Sequence, residues 1–261
     1  MSAKLPIHFG AAVALAMSFT ACGGGGGAGG GVKLQGAGAS FPAPLYLKWF
    51  KAYNGTHPNI QVDYQSIGSG GGVKSFMDRT VDFAASDAAM KPEDMAKVEG
   101  GVQLVPMTAG SIVLAYNVPE LANLRLSREA YAGIFLGKVK TWNDPVIAKA
   151  NPGVKLPNEP INVVVRADSS GTTFVITQHL SAISPEWAAG PGTSKAPNWP
   201  AGIGSKGNEG VTHNAARWLP PGLASVLDRG GGQKGWSFDI PRRKTTAGIF
   251  AVHPARRDSV G

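Results

Sequence analysis

Three short runs of small residues, each placed between an apolar stretch and a helix-like one, carry the chemistry most legible in this chain: GASF at 38–41, GSGGG at 68–72 and DSSGT at 168–172. A turn of this kind opening a helix leaves main-chain N–H groups without acceptors, at the end where the helix dipole favours negative charge. Ser is also a preferred N-cap residue, stabilising by about 0.5–2 kcal/mol over Ala, so ordinary capping accounts for any one run. Three together, with Gly permitting close approach and Ser or Thr hydroxyls alongside, read as a cradle for an anion.

The enzyme motifs closest to these runs do not fit. A nucleotide-binding P-loop needs G-x-x-x-x-G-K-[ST], and in GSGGGVKS Val73 separates Gly72 from Lys74. No helix-opening G-x-G-x-x-G with an acidic residue at dinucleotide-binding distance is present. Ser170 has neither the G-x-S-x-G setting nor an evident base, so no catalytic residue is assigned. His57, His179, His213 and His253 lack metal-ligand spacing with one another or with Cys22, so no metal site and no cofactor are expected.

The elements that must position the three turns alternate as in an α/β protein. Strands are expected over Val32–Leu34, Ile60–Tyr64, Val81–Ala85, Val102–Val105, Ser111–Tyr116 and Ile161–Val165. Helices are expected over Leu45–Tyr53 with Leu45, Trp49 and Phe50 on one face, then Val73–Arg79, Arg128–Leu136 and Asp144–Ala150, and from the DSSGT turn to about Leu180. Residues 194–210, rich in Gly, Pro and Lys, read as loop. Trp49, Trp142 and Trp187 are expected to pack rather than to stack on a ligand.

At the N-terminus, Lys4 precedes an apolar stretch from Ile7 to Phe19, and small residues lead into Cys22. That layout is a secretory signal over residues 1–21, and its apolar part is short of the ~20 residues a spanning helix needs. Cys22 is the only cysteine, and FTAC resembles the lipobox of bacterial lipoproteins, with Phe19 in place of the usual Leu. Acylated Cys22 and the Gly-rich tether over 22–31 would hold a globular domain at a membrane, on its extracytoplasmic face in the periplasm or at the cell surface. The net charge of +8 is concentrated in the last 49 residues, which carry eight Lys or Arg against three Asp or Glu. No basic stripe with interleaved aromatics crosses the rest, so nucleic acid is not an expected partner.

The runs GAGASFPAPLYLKWF, YQSIGSGGGVK, TVDFAASDAAM, FLGKVKTWNDPVIAKANPG, VVRADSSGTTF and SKGNEGV occur in that order. Together they resemble the substrate-binding proteins of bacterial phosphate ABC transporters, from about residue 34 to 212. The resemblance implies an α/β, two-lobed periplasmic-binding-protein fold of type II, with the ligand in the inter-lobe cleft, lobe 1 over 32–106 and lobe 2 over 107–212. It implies a binding protein, not an enzyme, that takes inorganic phosphate to the membrane permease of an importer. The phosphate contacts it implies are Ser40, the Phe41 N–H, Ser69, Asp87, Arg166, Ser170, Gly171 and Thr172. Ser40 stands where many relatives have Thr, and the hydroxyl is kept.

The residue types agree with that assignment. Arg166 offers a planar charged fork to phosphate oxygens, and Asp168 is placed to orient it and temper its charge. Asp87 is the unusual member: a carboxylate repels an anion unless the ligand brings a proton to donate, which phosphate does near neutral pH and sulfate does not. Asp87 could instead cap the turn at SDAAM. The alternatives are a different tetrahedral oxyanion, disfavoured by Asp87, and a phosphoester hydrolase on the same cradle. Beyond Thr212 the pattern stops: residues 213–261 gain Arg, Pro and Gly and lose apolar periodicity. A tail read out of frame or a divergent terminus, and with it a first lobe left incomplete, is the expectation there, a genuine basic tail being the alternative; translation of the other two frames past codon 212 would test it.

Overall fold

The structure, a computed structural model, describes residues 31–118, 121, 124–217, 222–226 and 246–252. The signal over 1–21, Cys22 and the tether as far as Gly30 lie outside the described residues, as do 218–221, 227–245 and 253–261 of the tail.

The first lobe is built on strands β1 (Val32–Gly38), β2 (Ile60–Ser66) and β3 (Phe83–Ser86), with β1 parallel to both neighbours. Parallel neighbours need crossovers, and α1 (Ala43–Thr56) and α2 (Ser69–Met77) supply them. Gly36 makes room for this packing, because a Cβ there would lie 2.1 Å from the Phe83 ring on the adjacent strand. After the short α3 (Pro92–Met95), β4 (Gln103–Gly110) runs at the sheet's far edge. The crossing to the second lobe therefore follows Gly110, four residues later than expected from sequence.

The second lobe holds β5 (Val113–Tyr116), β6 (Asn162–Arg166) and β7 (Ile203–Ser205), with β6 parallel to β7. Its helices are α4 (Arg128–Phe135), α5 (Pro145–Ala150), α6 (Gly171–Ile183), α7 (Pro185–Ala189) and α8 (Gly207–Arg217). Here lies the larger core, with Ile134, Phe135, Trp142, Ile147, Leu180 and Trp187 fully buried. Trp187 satisfies its indole N–H on the Gly192 carbonyl at 3.0 Å, so its truncation to Ala would cost about 3–5 kcal/mol from packing alone. Trp49 differs from the other two: it is 40% exposed, tilted against Tyr46, and Tyr46 rather than Trp49 takes the buried face of α1.

Two further strands come from the tail. β8 (Gly222–Val226) lies between β5 and β6, antiparallel to the first and parallel to the second. β9 (Thr246–Val252) lies antiparallel between β3 and β4. The strand orders are β2-β1-β3-β9-β4 and β5-β8-β6-β7. Where the sequence reading leaves the first lobe without returning strands, the described backbone places β9 inside its sheet. Strand pairing runs through main-chain groups that every residue carries, so a segment without clear periodicity can still fill a ladder.

Among the described residues no helix is long and apolar enough to cross a membrane, and no group of three or more His, Cys, Asp or Glu could hold a metal ion.

Candidate functional site

The three turns stand at the ends of strands β1, β2 and β6, where strand meets helix, and the fold brings them face to face. The first begins at Gly38, whose φ of +145° and lack of Cβ let β1 approach β3: a Cβ there would lie 2.0 Å from the Ala85 carbonyl oxygen. It delivers Ser40, 5% exposed, beneath the guanidinium of Arg166 at the end of β6. Arg166 Nη1 donates to Ser40 Oγ at 3.2 Å, linking the lobes and leaving the hydroxyl proton able to point onward. Phe41 lays its ring against Gly110, where a Cβ would be 2.2 Å away.

The second turn opens α2. Gly68 is its N-cap at φ +82°, with no side-chain cap, so the first-turn N–H groups look outward. Gly70 N–H crosses to the Ser169 carbonyl of the other lobe at 2.9 Å. Ser69 is fully buried, and its Oγ accepts the Asp87 N–H at 3.2 Å and lies 3.5 Å from Asp87 Oδ2.

The third turn opens α6. Ser170 is its N-cap and accepts the Thr173 N–H at 3.2 Å. The N–H groups of Gly171 and Thr172 belong to the first turn, where a helix has no acceptor for them. Gly171 sits directly against the first lobe: a Cβ would come within 2.4 Å of Ser69 Oγ and 2.6 Å of Asp87 Cβ.

Arg166 is 4% exposed and held from several sides. Nε donates to Asp168 Oδ1 at 2.7 Å, Nη2 donates to Asp168 Oδ2, and Nη1 donates to Asn208 Oδ1 at 2.6 Å. Asp168 also accepts the Gly207 N–H at 3.0 Å. Burial would raise the Asp168 carboxyl, yet the bonds from Arg166 and Gly207 outweigh it and hold the group below the usual carboxylate range.

Asp87 has the opposite character. Burial pushes its carboxyl up to about 6, against the pull of Arg166, of hydrogen bonds with Ser69 and Thr172, and of Lys195. Among the described residues its Oδ1 is buried without a hydrogen-bond partner. The turn at SDAAM is capped by Ser86 instead, whose Oγ accepts the Ala88 N–H at 3.2 Å and donates to the Ala88 carbonyl at 2.5 Å. The carboxyl of Asp87 is therefore not committed to the local turn.

All eight residues implied as phosphate contacts, with Asp168 behind Arg166, come from the three turns, the end of β3 and the end of β6. Two residues escaped sequence reasoning. Asn208, 3% exposed, lies in the SKGNEGV run, which carried resemblance but no assigned role. Lys195 lies in the stretch read as loop; its carbonyl accepts the Ser170 N–H at 2.9 Å, and burial lowers its ammonium while Asp87 and Asp94 pull it back up. That stretch, 194–210, also contains β7 and the start of α8.

A two-lobed α/β protein with helix-opening turns facing one another between its lobes is the class these features define. The sequence profile of the PBP superfamily domain matches residues 24–245, and the chain belongs to that superfamily. It is 49% identical over 180 residues to the phosphate-binding protein PstS of Pasteurella multocida, covering 68% of this chain and 52% of that one. It is 41% identical over 190 residues to the phosphate-binding protein PstS of Methanocaldococcus jannaschii, covering 68% and 49%. The chain thus spans about half the length of these curated relatives. Among solved structures it resembles a putative phosphate ABC transporter substrate-binding protein with bound phosphate from Clostridium perfringens, at TM-score 0.61 and 14% identity, covering 88% of each chain. An ABC-type phosphate transport receptor from Vibrio cholerae matches at TM-score 0.54 and 16% identity, covering 85% of this chain and 87% of that one. At such identities the likeness speaks for the fold, and it agrees with the two-lobed α/β architecture expected from sequence.

Proposed function

We propose that this protein binds inorganic phosphate in the cleft between its lobes, outside the cytoplasmic membrane, and delivers it to the permease of an ABC-type importer. The carrying observation is Asp87: a buried carboxyl oxygen without a partner among the described residues, beside an Arg-centred set of donors, calls for an anion that itself carries a proton. The oxygens of such an anion would be met by the hydroxyls of Ser40, Ser69, Ser170 and Thr172, by the N–H groups of Phe41, Gly171 and Thr172, and by Arg166. Asp87 would accept the ligand's proton. Most of these donors are neutral, so the ion is held without a large cationic patch, and a closed, dry cleft strengthens each bond. A fully ionised oxyanion would leave Asp87 facing a like charge with no proton between them.

A lipid anchor at Cys22 and a flexible tether would keep the domain near the permease, with lobe closure as the working motion. The relatives' name, phosphate-binding protein, supports the ligand and a role in binding rather than turnover. Ser170 Oγ accepting from Thr173 N–H as a helix cap also argues against its use as a nucleophile. Calorimetric titration of the full chain with phosphate should give one site per chain, and a chromogenic phosphate ester should not turn over. Absence of phosphate binding would overturn the proposal, and turnover of the ester would favour the hydrolase reading.

A further inference from the structure

A guanidinium has five N–H groups, and how they are spent decides what is left for a ligand. In Arg166, Nε and one Nη2 hydrogen go to Asp168, and the two Nη1 hydrogens serve Asn208 Oδ1 and Ser40 Oγ. The Asp168 and Asn208 bonds lie within the second lobe, whereas Ser40 belongs to the first and its hydroxyl can exchange partners. Asn208 thus closes the side of the fork that Asp168 does not reach, and leaves one Nη2 hydrogen and the Ser40-facing edge to meet the cleft. Its amide orientation is set by chemistry, since Nη1 can only donate and must face the amide oxygen.

Asn208 is tied to the same corner as the Asp168 support. Gly207, at φ +69°, donates its N–H to Asp168 Oδ1 at 3.0 Å, and the next residue accepts from Arg166 at 2.6 Å. One dipeptide at the start of α8 therefore fixes both members of the Arg–Asp pair. The residue type matters as well as the place. Asp168 already balances the charge of Arg166, and a second carboxylate would turn a neutral group into a negative one facing an anion. An amide supplies the acceptor without the charge.

We infer that Asn208 is a positioning residue for anion capture: it holds the Arg166 fork in its ligand-facing orientation while adding no negative charge to the site. The inference rests on the phosphate reading for its consequence, but not for its geometry. Two measurements on the full chain separate them. The first is NMR of the Arg166 guanidinium protons without ligand: wild type should show resolved, slowly rotating Nη1 protons, Asn208→Ala should average them, and Asn208→Asp should restore them. Unchanged Nη1 signals in Asn208→Ala would overturn the inference.

The second is a phosphate titration across the pH range in which phosphate gains its second charge. Asn208→Ala should weaken binding about tenfold at every pH, because a hydrogen bond to a charged group is lost. Asn208→Asp should also weaken it, with a deficit that grows as pH rises; wild-type affinity in that variant would refute the charge argument, and equal, pH-independent losses in both variants would point to a structural role alone. If wild type takes up no phosphate, the functional proposal fails while the guanidinium spectra still decide the role of Asn208.

Discussion

Replacing Asp87 by Asn should make the ligand-free protein more stable, and only above a particular pH. The carboxyl moves from 3.8 to about 6 in the fold because burial disfavours its charged form. An upward move of that size corresponds to roughly 3 kcal/mol of destabilisation carried by the ionised group. The direction follows from proton linkage. The folded state binds this proton more tightly than the unfolded state, so stability is highest below the unfolded value and is lost as pH rises towards and through about 6. Asn does not titrate. Ligand-free Asp87→Asn should therefore exceed wild type by up to ~3 kcal/mol at neutral pH, which at ~2–4 °C per kcal/mol for a chain of this size is at most about 6–12 °C in Tm. The two should converge near pH ~4, below which neither residue is charged. Scanning calorimetry over that range, in phosphate-free buffer, reads the difference directly. A gap independent of pH, or a wild type more stable at neutral pH, would refute the assignment of a strained, buried carboxylate.

Sulfate should compete better with phosphate as pH falls through about 6, because protonated Asp87 can donate to it; Lys195→Ala should move that transition to higher pH, since Lys195 pulls the Asp87 carboxyl down, and competition assays across pH read both. Gly171→Ala should weaken phosphate binding by at least ~tenfold with little loss of Tm, because its methyl would enter the space of Ser69 Oγ and Asp87 Cβ and hold the lobes apart. Gly72→Ala should destabilise the fold by about 1–3 kcal/mol, its Cβ lying 2.4 Å from Gly38 Cα, whereas Gly55→Ala in α1, with nothing within 4 Å among the described residues, should stabilise by roughly 0.4–1 kcal/mol in chemical denaturation.

How far the site could be read in the sequence depended on whether its chemistry was local. The turns at 38–41, 68–72 and 168–172 announce themselves because Gly and Ser recur together at three strand-to-helix junctions, where capping alone would account for only one. Asp168 beside Arg166 was legible for the same reason, two residues apart on one strand end. Asn208 was not: 42 positions separate it from Arg166, and no local pattern marks an amide as an acceptor for a distant guanidinium. Whether Asp87 capped its own turn was undecidable from SDAAM, because Ser86 and Asp87 are both competent caps, and only the bonds from Ser86 to Ala88 settle it.

The fold shows the same division. Strands with β-branched runs, such as Asn162–Arg166, were visible by composition, while Ile203–Ser205 was hidden in a Gly- and Pro-rich stretch because three residues are too few to show a period. On α1 the apolar residues circle most of the helix, so spacing alone favoured Trp49 where tertiary packing chose Tyr46. The strands of the tail are held by pairing to β3, β4, β5 and β6, contacts that no window along the tail itself could reveal.

In the proposed site a protonated oxyanion is recognised through Asp87. Titrating wild type and Asp87→Asn with phosphate and with sulfate at neutral pH tests it most directly. Wild type should take phosphate and reject sulfate, and Asp87→Asn should gain sulfate affinity by about a hundredfold as the buried charge clash, of the order of 3 kcal/mol, is removed. Unchanged discrimination between the two anions in Asp87→Asn would contradict it.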